Sequence, residues 1–316
     1  MRAPLSALLC LSVALITLSE DASAEAPPQL KAERGQRPLI SALEARRLIE
    51  AGQADVIDAR DLKLKAWLGH IPGALHLPWR ALTRGRRDGT LVDDTELIKR
   101  LDELGLSPQR ELIVYAAWGG GWGEEARALW SLEYAGHPAV RVIEGGWAAW
   151  RAAGGARALG APQARLERRD ARSAEQRRAL WRPRPELRVT SDEVEGLLQA
   201  GWRALDTRAA REFAGETPYG SAIGGHLPGA VHLDWARLID GDQLLAPQAL
   251  RALLAERGVD PLAPTLVYCT GGVRSAFVYL ALRQLGATQV RNYDGSWWAW
   301  SERLKAREAQ RGERSP

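Results

Sequence analysis

Short apolar runs alternate with segments of helical period along most of the chain. Residues 54–58, 111–115 and 139–143 are brief and apolar, the pattern of strands buried on both faces. Between and before them, residues 41–51, 94–104 and 123–135 space their apolar side chains as a helix does. The second half repeats the alternation, with strands expected near 202–206, 265–268 and 289–291. Strands separated by helices predict an α/β fold: two tandem domains, each a mainly parallel sheet with helices on both faces.

The repetition is visible residue by residue. A capping-box pattern opens each half, Ser41-x-x-Glu44 and Thr190-x-x-Glu193. Each then ends an apolar run in Asp-x-Arg, at Asp58–Arg60 and Asp206–Arg208. Gly69-His70-Ile71-Pro72-Gly73-Ala74 matches Gly225-His226-Leu227-Pro228-Gly229-Ala230, followed by His76 and His232. Helix-ending glycines (Gly105, Gly258), Val-Tyr strand ends (Tyr115, Tyr268) and a Trp-x-x-Trp pair (Trp147/Trp150, Trp297/Trp300) complete the series. The order and near-constant offset predict an N-terminal domain over 35–155 and a C-terminal domain over 187–305, with a tail over 306–316.

Outside the repeats, residues 1–24 read as a secretory signal. Arg2 precedes an apolar run from Leu5 to Leu18, too short to span a bilayer, and Ala22-Ser23-Ala24 offers small residues for cleavage. The expected protein is periplasmic or secreted, with no stable membrane anchor. Cleavage would remove Cys10 and leave Cys269 as the only thiol. The 316 residues, 46% hydrophobic and 26% charged, suit two domains with real cores and exclude a disordered polymer or a membrane bundle. The formal net charge of +4 is concentrated in residues 156–186, read as a basic, solvated linker lying along the domain surfaces. A nucleic-acid partner would want basic residues interleaved with stacking aromatics on a folded face, so none is expected for a solvated linker.

The chemistry concentrates in Cys269-Thr270-Gly271-Gly272-Val273-Arg274-Ser275, which leaves a buried strand and enters a helix. Two glycines let the backbone curl, so successive N–H groups can point inward as an anion nest. The helix N-terminus and Arg274 add positive charge, and the loop holds no acid. Such surroundings favour the thiolate, the nucleophilic form of cysteine.

The duplicated Asp-x-Arg and Gly-His-x-Pro-Gly-Ala signals, together with the C-T-G-G-V-R loop, resemble the rhodanese superfamily of sulfurtransferases. The resemblance is nearest to its two-domain group, which includes thiosulfate and 3-mercaptopyruvate sulfurtransferases, and covers residues 38–305. It implies a catalytic cysteine in the second domain only. Ala116 takes the nucleophile's place in the first, where the loop 117–123 carries no thiol. It implies a double displacement: the Cys269 thiolate takes a sulfur from a small anionic donor, thiosulfate or 3-mercaptopyruvate, and passes it as a persulfide to cyanide, a thiol or a protein acceptor. No metal or organic cofactor is implied.

Several roles stay open at this level. Arg208 is expected either to pair with Asp206 and support the loop or to touch the substrate. His226 is read as structural support, like its duplicate His70. Two-domain relatives often carry a second arginine four residues after the Asp-x-Arg arginine, where it grips the donor. Here that place is Glu212, which would repel an anion unless Arg211 reaches around it. The Gly-Gly-Val-Arg loop tilts the choice towards thiosulfate. Two rivals remain. A sulfur-delivery or binding module would turn over small donors slowly. A cysteine phosphatase is disfavoured because four residues, not five, separate Cys269 from Arg274.

Overall fold

The computed structural model describes residues 37–85, 87–166 and 171–312. The predicted leader, Cys10 included, lies outside the described residues. The first half runs β1 (Leu39–Ile40), α1 (Ala42–Glu50), β2 (Ala54–Asp58), α2 (Lys63–Trp67) and β3 (Leu75–His76). A hairpin follows, β4 (Thr83–Gly85) and β5 (Asp88–Leu91), then α3 (Asp94–Glu103), β6 (Glu111–Tyr115), α4 (Glu124–Tyr134), β7 (Val140–Ile143) and α5 (Gly146–Ala152). After α6 (Ala174–Arg178) the second half repeats the plan: β8 (Arg188–Val189), α7 (Val194–Gln199), β9 (Arg203–Asp206), α8 (Ala210–Phe213) and β10 (Val231–His232). It ends with a hairpin, β11 (Ile239–Asp240) and β12 (Gln243–Leu244), then α9 (Pro247–Glu256), β13 (Thr265–Tyr268), α10 (Arg274–Gln284), β14 (Val290–Tyr293) and α11 (Ser296–Gly312).

Each half folds around a five-stranded sheet, in the orders β1-β7-β6-β2-β3 and β8-β14-β13-β9-β10. All pairings within these sheets are parallel, as the strand–helix alternation predicts. Local signals account for the helix starts. Ser41 accepts the Glu44 amide at 3.2 Å and Asp93 accepts that of Glu96 at 3.0 Å. The second capping pattern acts later than expected. Glu193 accepts the Thr190 amide at 2.8 Å, but the helix itself begins at Val194.

Helix α10 is apolar nearly all round, and residues 274–282 are all buried. A helix of that composition needs partners on every side. It meets the sheet of its own half and α4 of the other, where Trp118 stands edge-on to Phe277 at 5.2 Å. One continuous apolar core therefore spans both halves at this seam.

The connector is more fastened than a solvated linker. Ala158 bridges His70, Gln163 bridges Leu75, and Trp181 is buried against the first half. Arg177 donates to Asp102 at 2.6 Å, so part of the connector's charge is paired. The expected tail is also ordered differently: α11 continues to Gly312, with Arg307 donating to Glu195 of α7 at 2.5 Å.

Candidate active site

Cys269 follows the last residue of β13, at the carboxyl edge of the sheet, and α10 begins at Arg274. The thiol is only 1% exposed, so it is far less open than its place on a turn suggests. It nevertheless forms part of the floor of a cleft of about 960 Å³. The backbone wraps it from below. The Gly272 amide donates to Sγ at 3.1 Å, and the Ser275 hydroxyl lies 3.7 Å from it. Gly272 has φ +78°, and a Cβ there would collide with an Arg127 nitrogen and the Asp294 backbone, so only glycine fits. Burial pushes the thiol up, but the Arg274 charge and hydrogen bonds from Ser275 and the loop amides outweigh it. The net result is a thiol held below its ordinary value.

Glu212 does something the sequence did not suggest. It does not stand in the cleft as a repelling charge; it is buried behind the loop. Arg274 donates to its two oxygens at 2.6 and 2.8 Å, and the Thr270 hydroxyl donates at 2.6 Å. Thr270 in turn accepts from Arg274 at 2.5 Å. Burial raises the Glu212 carboxyl, but the Arg274 hydrogen bond and charge hold it below the usual carboxylate range. The triad fixes the guanidinium under the cup. Arg211 points elsewhere: it is exposed and does not line the cleft, so the expectation that it reaches the donor is corrected.

The Asp-x-Arg arginine is likewise structural. Arg208 pairs with Asp206 at 2.6 Å, donates to the Gly225 carbonyl at 2.7 Å and lies over the Trp297 ring at 4.8 Å. It does not line the cleft. The copy without a nucleophile has the same lock: Arg60 on Asp58 and on the Gly69 carbonyl, over Trp147. His226 is exposed, hydrogen-bonded to the Phe213 carbonyl and stacked on the Phe213 ring at 4.0 Å. His232 meets the Arg208 carbonyl as His76 meets that of Arg60. Both histidines thus serve the duplicated fold.

Several residues that shape the site carried no obvious mark. Ser296 has φ +51°, where its counterpart Gly146 has φ +54°. A non-glycine residue there costs about 1–2 kcal/mol. The offsetting contact is that its hydroxyl accepts the Cys269 amide at 3.1 Å. This exchange of glycine for serine between the copies was the readable signal. Asn292 accepts from the Ser275 hydroxyl at 2.7 Å and donates to the Gly272 carbonyl at 3.2 Å. From the first half, Trp79, Arg80, Arg87 and Trp122 wall the cleft, and the Thr217–Gly220 insertion closes its far side. Gly89 of β5 presses on the Cys269 loop so closely that a Cβ would lie 2.1 Å from the Gly271 oxygen. Among the described residues no cluster of His, Cys, Asp and Glu could hold a metal.

A nucleophile cradled by amides in the second of two like domains matches the family architecture, and the rhodanese-like domain model matches residues 41–153 and 190–303. The chain belongs to the rhodanese-like family. It is 28% identical over 266 residues to a thiosulfate sulfurtransferase of Corynebacterium glutamicum, covering 79% of this chain and 83% of that one. It is 30% identical over 285 residues to the SseB protein of Mycobacterium tuberculosis, covering 85% and 95%. Among solved structures it resembles the 3-mercaptopyruvate sulfotransferase SseA of Escherichia coli, with a TM-score of 0.69 and 27% identity over 83% of this chain and 99% of that one. This rhodanese-like chain is therefore a homologue of sulfurtransferases, with a cysteine on this loop in the second half only. In the first half Ala116 replaces the cysteine and Glu124 begins the helix where Arg274 begins its counterpart.

Proposed function

We propose that this chain is a sulfurtransferase that carries sulfane sulfur on Cys269. The observation supporting this is the Sγ atom on the cleft floor with the Gly272 amide aimed at it and the Arg274 charge beside it. The thiolate attacks the outer sulfur of thiosulfate, the donor's S–S bond breaks, and sulfite leaves with the electron pair. The terminal sulfur of the resulting persulfide sits in the same positive, amide-lined cup. A cyanide ion or thiolate then attacks that sulfur, and the Cys269 thiolate leaves. Two half-reactions sharing one covalent intermediate give ping-pong kinetics.

Thiosulfate is the favoured donor over 3-mercaptopyruvate. The loop sequence supports it; Glu212, which stands where a donor-gripping arginine would be and is committed to Arg274, bears on both anionic donors alike. The cleft is far larger than either donor, which supports a thiol acceptor bulkier than cyanide, a protein thiol included. Delivery of this kind, with slow turnover of small donors, is the second reading.

Mass spectrometry after incubation with each donor tests the proposal. One added sulfur on the Cys269 peptide, absent in Cys269→Ser, is expected with thiosulfate. No added mass with either donor refutes the proposal. Steady-state transfer to cyanide against loading alone separates the two readings. Export through residues 1–24 is part of the same proposal, tested by locating the protein and sequencing its N-terminus; no described helix is long and apolar enough to cross a membrane.

A further inference from the structure

The catalytic cup is built partly by the half that has no nucleophile. Arg127 sits on α4 of the first half and is fully buried. Its guanidinium donates to the Gly272 carbonyl at 3.0 Å and to the Gly89 carbonyl at 2.5 Å, and its Nε has no hydrogen-bond partner. Among the described residues no carboxylate pairs with it. Asp294, an acid whose charge it feels, is occupied by Arg188 at 3.1 Å and by the amides of Leu91 and Gly295. Arg274, the cation on the other side of the cup, is by contrast paired with Glu212.

Two consequences follow. A trans peptide sets its C=O and N–H on opposite sides. Pinning the Gly272 oxygen outwards, with Asn292 as second donor, therefore turns the Val273 N–H the other way, towards the cup. Arg127 also adds charge. Arg274 is the cation that acts most on the thiol, although Glu212 holds it. Arg127, which no described carboxylate pairs, adds a second, and the thiolate in turn favours its ionised form against the burial that lowers it.

We propose that Arg127 is a positioning residue for sulfur transfer: from the first domain it holds the Gly272–Val273 peptide of the cup and adds a second positive charge, beside that of Arg274, to the surroundings of the Cys269 thiolate. This rests on Cys269 being the sulfur carrier, but the test reads the thiol directly. The groups facing that thiol are Arg274 and Ser275 of α10, Glu212 of α8 through Arg274, Asn292 of β14, Asp294 and Ser296 after it, and Arg127 of α4, with Asp61, Arg80 and Arg87 farther off along the cleft wall.

The experiment titrates the ultraviolet thiolate absorbance of the full chain, with the Cys269→Ser form subtracted, in Arg127→Met and Arg127→Lys. The methionine variant is expected to raise the apparent thiol pKa by on the order of one unit. Persulfide formation from thiosulfate should slow about tenfold below that pKa and recover at alkaline pH. The lysine variant keeps the charge and should restore most of the shift. An unchanged titration in folded Arg127→Met overturns the proposal, as do equal shifts in both variants, which would mean packing alone. Should Arg127→Met fail to fold, Arg127→Gln carries the same comparison. A chain that takes no sulfur from thiosulfate, yet whose titration still moves with Arg127, would defeat the sulfurtransferase reading and the role in transfer with it, while showing that Arg127 tunes the thiol; the two failures are thus distinguishable.

Discussion

Replacing Glu212 with Gln separates stability from reactivity at this site. The carboxylate receives both Arg274 nitrogens and the Thr270 hydroxyl, and the pair is 5% and 2% exposed, so solvent screens it little. Removing one partner of such a buried pair costs about 3–5 kcal/mol, because the other charge stays behind. Glutamine keeps one acceptor oxygen, which argues for the lower end, about 3 kcal/mol. At about 2–4 °C per kcal/mol for a chain of this size or slightly smaller, the midpoint should fall by about 6–12 °C. The thiol should respond in the opposite sense. The cup loses a negative charge while Arg274 keeps its positive one, so the Cys269 pKa should fall further, by on the order of one unit. Scanning calorimetry and pH-dependent alkylation of Cys269 read the two effects independently. A thiol pKa that rises in Glu212→Gln would refute the reasoning, since Glu212 would then matter mainly by aiming Arg274.

Arg211→Ala should change the transfer rate less than about twofold, because the side chain lies outside the cleft; a large rise in KM for thiosulfate would contradict that placement. Gly89→Ala forces the β4–β5 hairpin off the Gly271 oxygen, at about 1–3 kcal/mol of overpacking, and should cut kcat/KM while circular dichroism stays unchanged. Glu125 is fully buried without a hydrogen-bond partner, and burial, then the Glu124 charge, pushes its carboxyl up to about 8. The native state therefore holds a proton that the unfolded chain releases above about pH 4, so stability falls as pH rises from there to about 8. Glu125→Met should remove that slope, so its stabilisation should be about 3 kcal/mol larger at pH 7 than at pH 4, as urea unfolding at the two pH values would show.

The sheet architecture was legible because it depends on periodicity. β2, β6 and β13 are apolar runs with no competing reading, and the duplicated landmarks fixed their register against one another. The two-residue edge strands β1, β3, β8 and β10 were not, since two residues carry no period. At the site, a cysteine on a glycine turn announced itself through chemistry local to seven residues. Glu212 misled because its partner, Arg274, lies 62 positions away, and charge repulsion was judged without it. Arg127 was invisible for the same reason: on α4 it looks like any helical arginine, and only the docking of two halves brings Gly272 to it, 145 positions on. The tail was not legible, because its charged residues break the apolar period, while the helix of the fold runs on through it with one surface ion pair, Arg307 to Glu195 of α7.

The depth of the sulfur has a consequence for traffic through the site. At 1% exposure the thiol can be approached only from the cleft above it, by a sulfur donor or an oxidant alike, and no second described cysteine stands ready to close a disulfide with it. If Cys269 carries sulfur as proposed, the outer atom would stand one bond length farther into the tryptophan-walled opening. The loaded form would then be easier to reach than the empty one.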